Sequence, residues 1–228
     1  INRDLECIGC GSCVEACPAA ALAVAGQKKS ISELMAIIEE DMPFYATSCG
    51  GLTIGGGEPL MQPQAAANLL MACKGRGINT AMETCGYARP EVLMKVAEFT
   101  DLFLFDVKHM DPEKHHELTG VRNESILENL KLLLDNKYNV RVRLPLLKGL
   151  NDGDAELGML MDFLQPYREQ RNFTGVDLLP YHRLGVYKYG QLGKEYGITD
   201  NPVLSETDLD RMERLFTERN FPVTVIRH

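Results

Sequence analysis

Along this chain short, continuously apolar runs alternate with longer segments whose apolar positions recur every three or four residues. The first pattern reads as strand covered on both faces, the second as amphipathic helix. Ser30 and Glu33 form an SxxE capping box ahead of ISELMAIIEE and predict a helix there. The run GLTI leads into GGGEP at 55–59, and Pro63 stands where the first turn of a helix over AAANLLMACK would begin, with Gly75 and Gly77 closing it. INTAMET ends at Glu83 and Thr84, and Pro90 opens the helix EVLMKVAEF. DLFLFDVKHM is followed by a helix near ESILENLKLLLDN, and NVRVRLPLL by a loop at 149–153 and a helix over 155–167. VDLLPYH precedes DLDRMERLFTERN, capped by Ser205 with Asp208, and VTVIRH ends the series. Six strand-like runs alternating with helices predict an α/β fold whose parallel sheet is closed or partly closed into a barrel.

Residues 1–28 break this pattern, being rich in cysteine and then polar (GQKKS). They are expected to form a small cluster-binding insert, joined without a flexible tether to a barrel-like body over 29–228. Within the insert, Cys7, Cys10, Cys13 and Cys17, with Pro18 behind them, spell CxxCxxCxxxCP. Soft thiolates suit iron, and the two-residue gaps let one loop wrap three thiolates around a cluster face. In two-cluster ferredoxins the fourth cysteine ligates the other cluster, so one run completes neither. A zinc site of two CxxC pairs normally separates the pairs by about fifteen to twenty residues, and here they overlap. A disulfide framework sits poorly with the three scattered cysteines Cys49, Cys73 and Cys85 and an odd total of 7.

Composition sets bounds. The 228 residues, 45% hydrophobic and 25% charged, suffice for one domain with an appendage. A formal net charge of −8 argues against a nucleic-acid binder, which needs clustered Lys and Arg. No apolar stretch approaches the roughly twenty residues that span a bilayer, and no leader precedes the cysteines, so a reducing cytoplasm is expected. The start at Ile1, almost inside a cysteine motif, reads as a beginning within a longer protein.

Polar residues fall where a parallel α/β fold places its chemistry, at the carboxyl ends of strands. Asp106 and Lys108 share one face of an apolar run, as do Arg141 and Arg143, while Glu83 and His182 close theirs. Each also has a plain structural reading: Asp106 pairing with Arg143, Glu83 capping a helix, His182 satisfied in the core. In GGGEP the glycines let backbone approach a ligand, and Glu58 adds a carboxylate. Neither GxGxxG nor GxxxxGK[ST] is present, and an acidic residue would repel phosphate. A carboxylate with free carbonyls suits a cation, and basic residues on later strands suit a carboxylate, so the expected ligand carries a zwitterionic amino-acid moiety.

The segments CxxCxxCxxxCP, GGGEPLMQ, METCG, LFLFDVKHMD, LTGVRNESILENL, RVRLPLLKGLND and LLPYHRLGVYKY together resemble the glycyl radical enzyme activating enzymes of the radical S-adenosylmethionine superfamily, across essentially the whole chain. The branch is the ferredoxin-bearing one, similar to activators serving choline trimethylamine-lyase; pyruvate formate-lyase activators share the body. The resemblance implies a partial (β/α) barrel of the radical S-adenosylmethionine type, first strand missing, with a remnant ferredoxin-like insert. It implies 4Fe–4S clusters and S-adenosylmethionine as cofactors. Gly56, Gly57 and Glu58 would hold the methionyl amino group, Lys108 and Arg143 would lie near its carboxylate, and His182 beside the nucleoside. Glu83, Thr84 and Asp106 match a segment near the ligand and a bound monovalent cation. Cys7, Cys10, Cys13 and Cys17 would serve auxiliary clusters.

The implied reaction is reductive cleavage of S-adenosylmethionine to a 5′-deoxyadenosyl radical, which removes a hydrogen atom from a glycine of a partner glycyl radical enzyme. A flavodoxin or ferredoxin would supply electrons to a monomeric protein that binds neither nucleic acid nor membrane. Three departures stand out: Glu83 replaces the usual aspartate, Gly55 the serine of SGGEP, and Cys49 a glycine. A fourth is larger, because the CxxxCxxC triad that binds the catalytic cluster does not occur in these residues. They are therefore expected not to perform the chemistry alone, no catalytic residue is assigned among them, and the triad is expected before Ile1. The rivals are an iron–sulfur electron-transfer protein and a radical enzyme acting on RNA or peptide. HHE at 115–117 is expected to be a solvated helix surface rather than a calcium or zinc site.

Overall fold

The computed structural model describes residues 7–24, 26–198 and 202–227. Helices α1 (Ser12–Glu15), α2 (Ile31–Glu39) and α3 (Met42–Ser48) precede strand β1 (Gly51–Ile54). There follow α4 (Pro63–Gly75), β2 (Asn79–Thr84), α5 (Pro90–Ala97), β3 (Leu102–Asp106), α6 (Pro112–Thr119), α7 (Glu124–Asp135), β4 (Val140–Leu146), α8 (Asp154–Leu164), β5 (Phe173–Pro180), α9 (Val186–Gln191), α10 (Glu206–Glu218) and β6 (Val223–Val225). The strands pair in chain order, all parallel, with β1 and β6 at the edges of the described sheet. Helical crossovers join them, as parallel pairing requires.

The expected helix signals operate. Ser30 and Ser205 each close a capping box, with Glu33 and Asp208, and Pro63 and Pro90 begin α4 and α5. One face of the sheet is apolar and dry: Met82, Phe103, Phe105, Val140, Val142 and Val176 are buried with Leu70, Leu93, Leu130, Leu160 and Phe216 from the helices. Each such side chain contributes about 2 kcal/mol by leaving water. A second cluster, Met35, Ile38, Cys73 and Ile78, fastens α2 onto α4 and the entry to β2.

The opposite face is polar. Register sets Glu83 beside Leu104 and Leu104 beside Arg141; in the other row Asp106 neighbours Arg143, and Arg143 neighbours Asp177. Alternation thus sends every charge of these strands to one side, the expected pairing of Arg141 with Arg143 on a face included.

Some expectations need correction. Strand β3 stops at Asp106, so Lys108 lies in the loop beyond it, and His182 likewise lies two residues past the end of β5. Helix α8 ends at Leu164, and the remainder of the expected helix is a tighter 3-10 turn, Gln165–Tyr167. Strand β5 begins at Phe173 because Gly175, at φ 123° and with only 2.7 Å between an added Cβ and Pro222 O, bulges the ladder instead of ending it. HHE is not wholly solvated: His115 is buried, its Nδ1 2.7 Å from Val121 O, while His116 and Glu117 are exposed.

Candidate functional site

The site gathers at the carboxyl ends of β1, β2 and β3. A cavity of about 200 Å³ there is lined by Gly56, Gly57, Glu58, Glu83, Thr84, Cys85, Asp106 and Lys108. Seven of the nine residues expected to hold S-adenosylmethionine are among them. Arg143 stands behind this wall, Nη1 2.5 Å from Glu83 Oε1 and Nε 3.5 Å from Asp106 Oδ1. His182 is exposed beyond β5 and does not line this cavity. A larger adjoining cavity of about 530 Å³ shares Gly57 and Glu58 and adds Gln27, Lys28, Lys29 and Gln62. Its lining holds one carboxylate against three in the smaller space, so the smaller is the one built for a cation.

The glycine loop forms the floor. Gly56 adopts φ 107°, which only glycine takes readily, and a Cβ at Gly56 or Gly57 would meet no atom within 4 Å, so the backbone borders open space. Glu58 is held on every side. Its Oε1 accepts from Thr84 Oγ1 at 2.6 Å and Leu60 N at 3.1 Å, and its Oε2 from Cys85 N at 2.9 Å and Cys85 Sγ at 3.1 Å. The turn that supplies these donors is itself fixed. Gly86 N donates to Thr84 Oγ1, and Asn129 Nδ2 donates to Gly86 O and Ala88 O.

The wall is acidic but balanced. Burial pushes the Asp106 carboxyl above the usual carboxylate range, while Arg143 and Lys108 draw it back. Asp106 Oδ1 is buried and accepts no hydrogen bond among the described residues, although Arg143 is within ion-pair reach. Glu83 pairs with Arg143 rather than capping a helix. Deeper on the same face Arg141 is 2.6 Å from Asp177 and donates to Thr174 O and Thr224 Oγ1. A buried acceptor that receives no hydrogen bond among the described residues, two further carboxylates, and a lysine with an arginine behind fit a ligand bearing ammonium and carboxylate groups together.

Several residues that hold the site escaped the sequence reading. Asn151 Nδ2 donates to Lys108 O, and Asn123 Nδ2 to His109 O and Met110 O, fixing the loop that presents Lys108. His109 accepts from Asp111 N at Nδ1, so burial, which lowers its pKa, leaves a neutral ring with the proton on Nε2. Asn129 carried a readable signal, a polar residue on the apolar stripe of ESILENLKLLL. Cys85 carried none, since its role follows from contact with Glu58.

The cysteine run forms a loop around α1. Cys7, Cys10 and Cys13 are exposed and Cys17 is partly covered, all as free thiols. Hydrogen bonding from Ser12 lowers the Cys10 pKa, and Ala21 N, 3.3 Å from Cys17 Sγ, lowers that of Cys17. Lowered pKa values favour the thiolates that iron requires, and Gly9 and Gly11, at φ 68° and 82°, give the loop its curl. Among the described residues no three His, Cys, Asp or Glu side chains are gathered as a metal site, HHE included.

Comparison with known proteins places these features in context. Residues 16–161 match the model of the Radical SAM superfamily, and residues 4–23 that of the 4Fe-4S binding domain. The chain is 60% identical over 98% of its length to the choline trimethylamine-lyase activating enzyme of Oleidesulfovibrio alaskensis, covering 72% of that protein. It is 39% identical, over 87% of its length and 65% of the relative's, to the trans-4-hydroxy-L-proline dehydratase activating enzyme of Clostridioides difficile. A crystal structure of a domain of pyruvate-formate lyase-activating enzyme from Bacteroides vulgatus superposes with a TM-score of 0.65 and 28% identity, over 78% of this chain and 99% of that one. The chain thus spans between 62% and 72% of the length of these curated relatives and an isethionate sulfite-lyase activating enzyme from Desulfovibrio desulfuricans.

Proposed function

The chain belongs to the radical S-adenosylmethionine superfamily, and from that membership we propose that it supplies the S-adenosylmethionine site of a glycyl radical enzyme activating enzyme. The observation that carries the reading is the glycine-floored cavity in which Glu58, Glu83 and Asp106 face Lys108, with Arg143 behind. A 4Fe–4S cluster, when bound, would supply the electron for reductive cleavage of S-adenosylmethionine, the activity proposed being removal of a hydrogen atom from a glycine of the partner.

These residues hold and orient. Backbone at Gly56 and Gly57, with the carboxylates of Glu58, Glu83 and Asp106, receives the methionyl ammonium; Thr84 steadies Glu58. Lys108 and Arg143 balance the methionyl carboxylate, Arg143 by shifting from the Glu83 and Asp106 carboxylates it now pairs with. His182 flanks the nucleoside. The buried Asp106 Oδ1, ion-paired with Arg143 but receiving no hydrogen bond among the described residues, suits either the ammonium or a monovalent cation. Residues 29–228 form the barrel portion, and residues 1–28 carry Cys7, Cys10 and Cys13 for one auxiliary cluster and Cys17 for another. Their thiolates would hold the iron. Positioning of this kind is where a protein contributes to cofactor chemistry.

The partner is a protein, a glycyl radical enzyme of the choline trimethylamine-lyase type, and the relatives named above support that choice. A flavodoxin or ferredoxin donates electrons, and the enzyme acts as a monomer in the cytoplasm. No helix among the described residues is long and apolar enough to cross a membrane.

The test is anaerobic mixing of the reduced intact enzyme with purified choline trimethylamine-lyase and S-adenosylmethionine. An organic radical doublet in the electron paramagnetic resonance spectrum, matched by 5′-deoxyadenosine, is expected. Cleavage of S-adenosylmethionine without a radical on the lyase would overturn the partner, and no cleavage would overturn the activity.

A further inference from the structure

The Glu58 carboxylate has no acceptor capacity to spare. A carboxylate offers about four lone-pair sites, and four donors occupy them. A ligand ammonium that binds this carboxylate must displace one of them. Leu60 N and Cys85 N are set by the backbone of the 3-10 turn Pro59–Met61 and of the turn after β2. Thr84 Oγ1 is fixed from its other side by Gly86 N. The backbone at Tyr87 likewise hydrogen-bonds the Cys85 sulfur, but a thiol is the weakest donor of the four, so its S–H is the one most readily turned off Oε2 by rotation about Cβ–Sγ. It also lines the cavity directly.

We infer that the Cys85 thiol is a placeholder for the ligand ammonium: it donates to Glu58 Oε2 in the empty site and swings off when the ammonium takes that oxygen. Cys85 is thereby a positioning residue that keeps the carboxylate aimed and satisfied between turnovers. Burial, the main cause, and the Glu58 hydrogen bond both raise its pKa, so the sulfur keeps its proton and remains a donor. The exchange is of hydrogen-bond partners only, with no bond made or broken at sulfur. The inference rests on the amino-acid moiety occupying this cavity, as proposed above.

Two substitutions give opposite signs. Cys85→Ala leaves Oε2 a free lone pair, so S-adenosylhomocysteine, which carries the same amino-acid moiety and is not cleaved, should bind the cluster-loaded intact enzyme about threefold tighter by calorimetry. Cys85→Ser puts a stronger donor in the same place and should weaken binding by about three- to tenfold. A residue that merely filled space would weaken binding in both variants. A third readout uses the wild type: the S–H stretching band assigned to Cys85 by subtraction of the alanine variant should move to higher frequency on ligand binding, as the hydrogen bond to Glu58 breaks. Equal affinities, weakening by alanine, or an unmoved band would overturn the placeholder role while leaving the cavity reading intact. Failure of the wild type to bind S-adenosylhomocysteine would overturn both.

Discussion

At the scale of single residues, two departures from the family pattern become one. A Cβ on Gly55 would lie 2.8 Å from Glu83 Oε2, closer than such atoms approach, because the longer arm of glutamate folds back over the loop while reaching Arg143. Glycine at 55 and glutamate at 83 therefore depend on each other. Gly55→Ser alone should push the carboxylate off Arg143 and cost up to about 1 kcal/mol in urea denaturation, the worth of a part-exposed ion pair. Glu83→Asp added to it should recover most of that cost, and strictly additive values would show the two positions to be independent. Asp106 gives a prediction in pH. Its pKa is raised in the fold, so the native state holds that proton more tightly than the unfolded chain does. Stability falls as pH climbs from the ordinary carboxylate range through the raised value. Asp106→Asn removes this penalty and should melt higher than the wild type at pH 7, the difference shrinking toward pH 4. The same change should weaken S-adenosylhomocysteine binding. Neither contact is legible in sequence, where 55 and 83 are distant letters.

At the scale of elements, the signals that worked were local ones. Proline at the first helical turn and reciprocal Ser–Glu or Ser–Asp caps act within four residues, so α2, α4, α5 and α10 were readable. Ser205→Ala should cost about 1 kcal/mol by freeing the first-turn amides of α10, measured by thermal melting. Helix α3 buries no residue and so shows no apolar stripe in the sequence, and short α9 has no clear period. The turn after β2 shows the opposite case, a local feature with a distant cause. Gly86 sits at φ 67°, where a Cβ would lie 2.2 Å from Phe105 Cζ. Gly86→Ala should therefore cost about 3 kcal/mol, strain and overpacking together, and should loosen Thr84 and Cys85 from Glu58. A denaturation midpoint unchanged from wild type would remove Phe105 from the argument.

For the molecule as a whole, the alternation of strand and helix named the architecture, and period-two spacing named the wet face of the sheet, because both are consequences of covalent geometry. What the pattern could not convey is that Arg143, on β4, neutralises carboxylates carried by β2 and β3, since that follows from strand order and register. The same division applies to catalysis. On the proposed function the ligand-holding half of the chemistry would reside in the acidic, glycine-floored cavity, while no CxxxCxxC occurs in the 228 residues to place iron against a sulfonium. Cys49, Cys73 and Cys85 are too widely spaced in sequence to form that triad; Cys73 is moreover fully buried beside Met35, and Cys85 is engaged with Glu58. Binding and cleavage should therefore separate experimentally. These residues alone, reconstituted with iron and sulfide and supplied with dithionite, should produce no 5′-deoxyadenosine from S-adenosylmethionine, whereas the intact enzyme should. Turnover by the isolated residues at the intact enzyme's rate would mean that the electron reaches the sulfonium from the CxxCxxCxxxCP loop, and the auxiliary role given to Cys7, Cys10, Cys13 and Cys17 would fall.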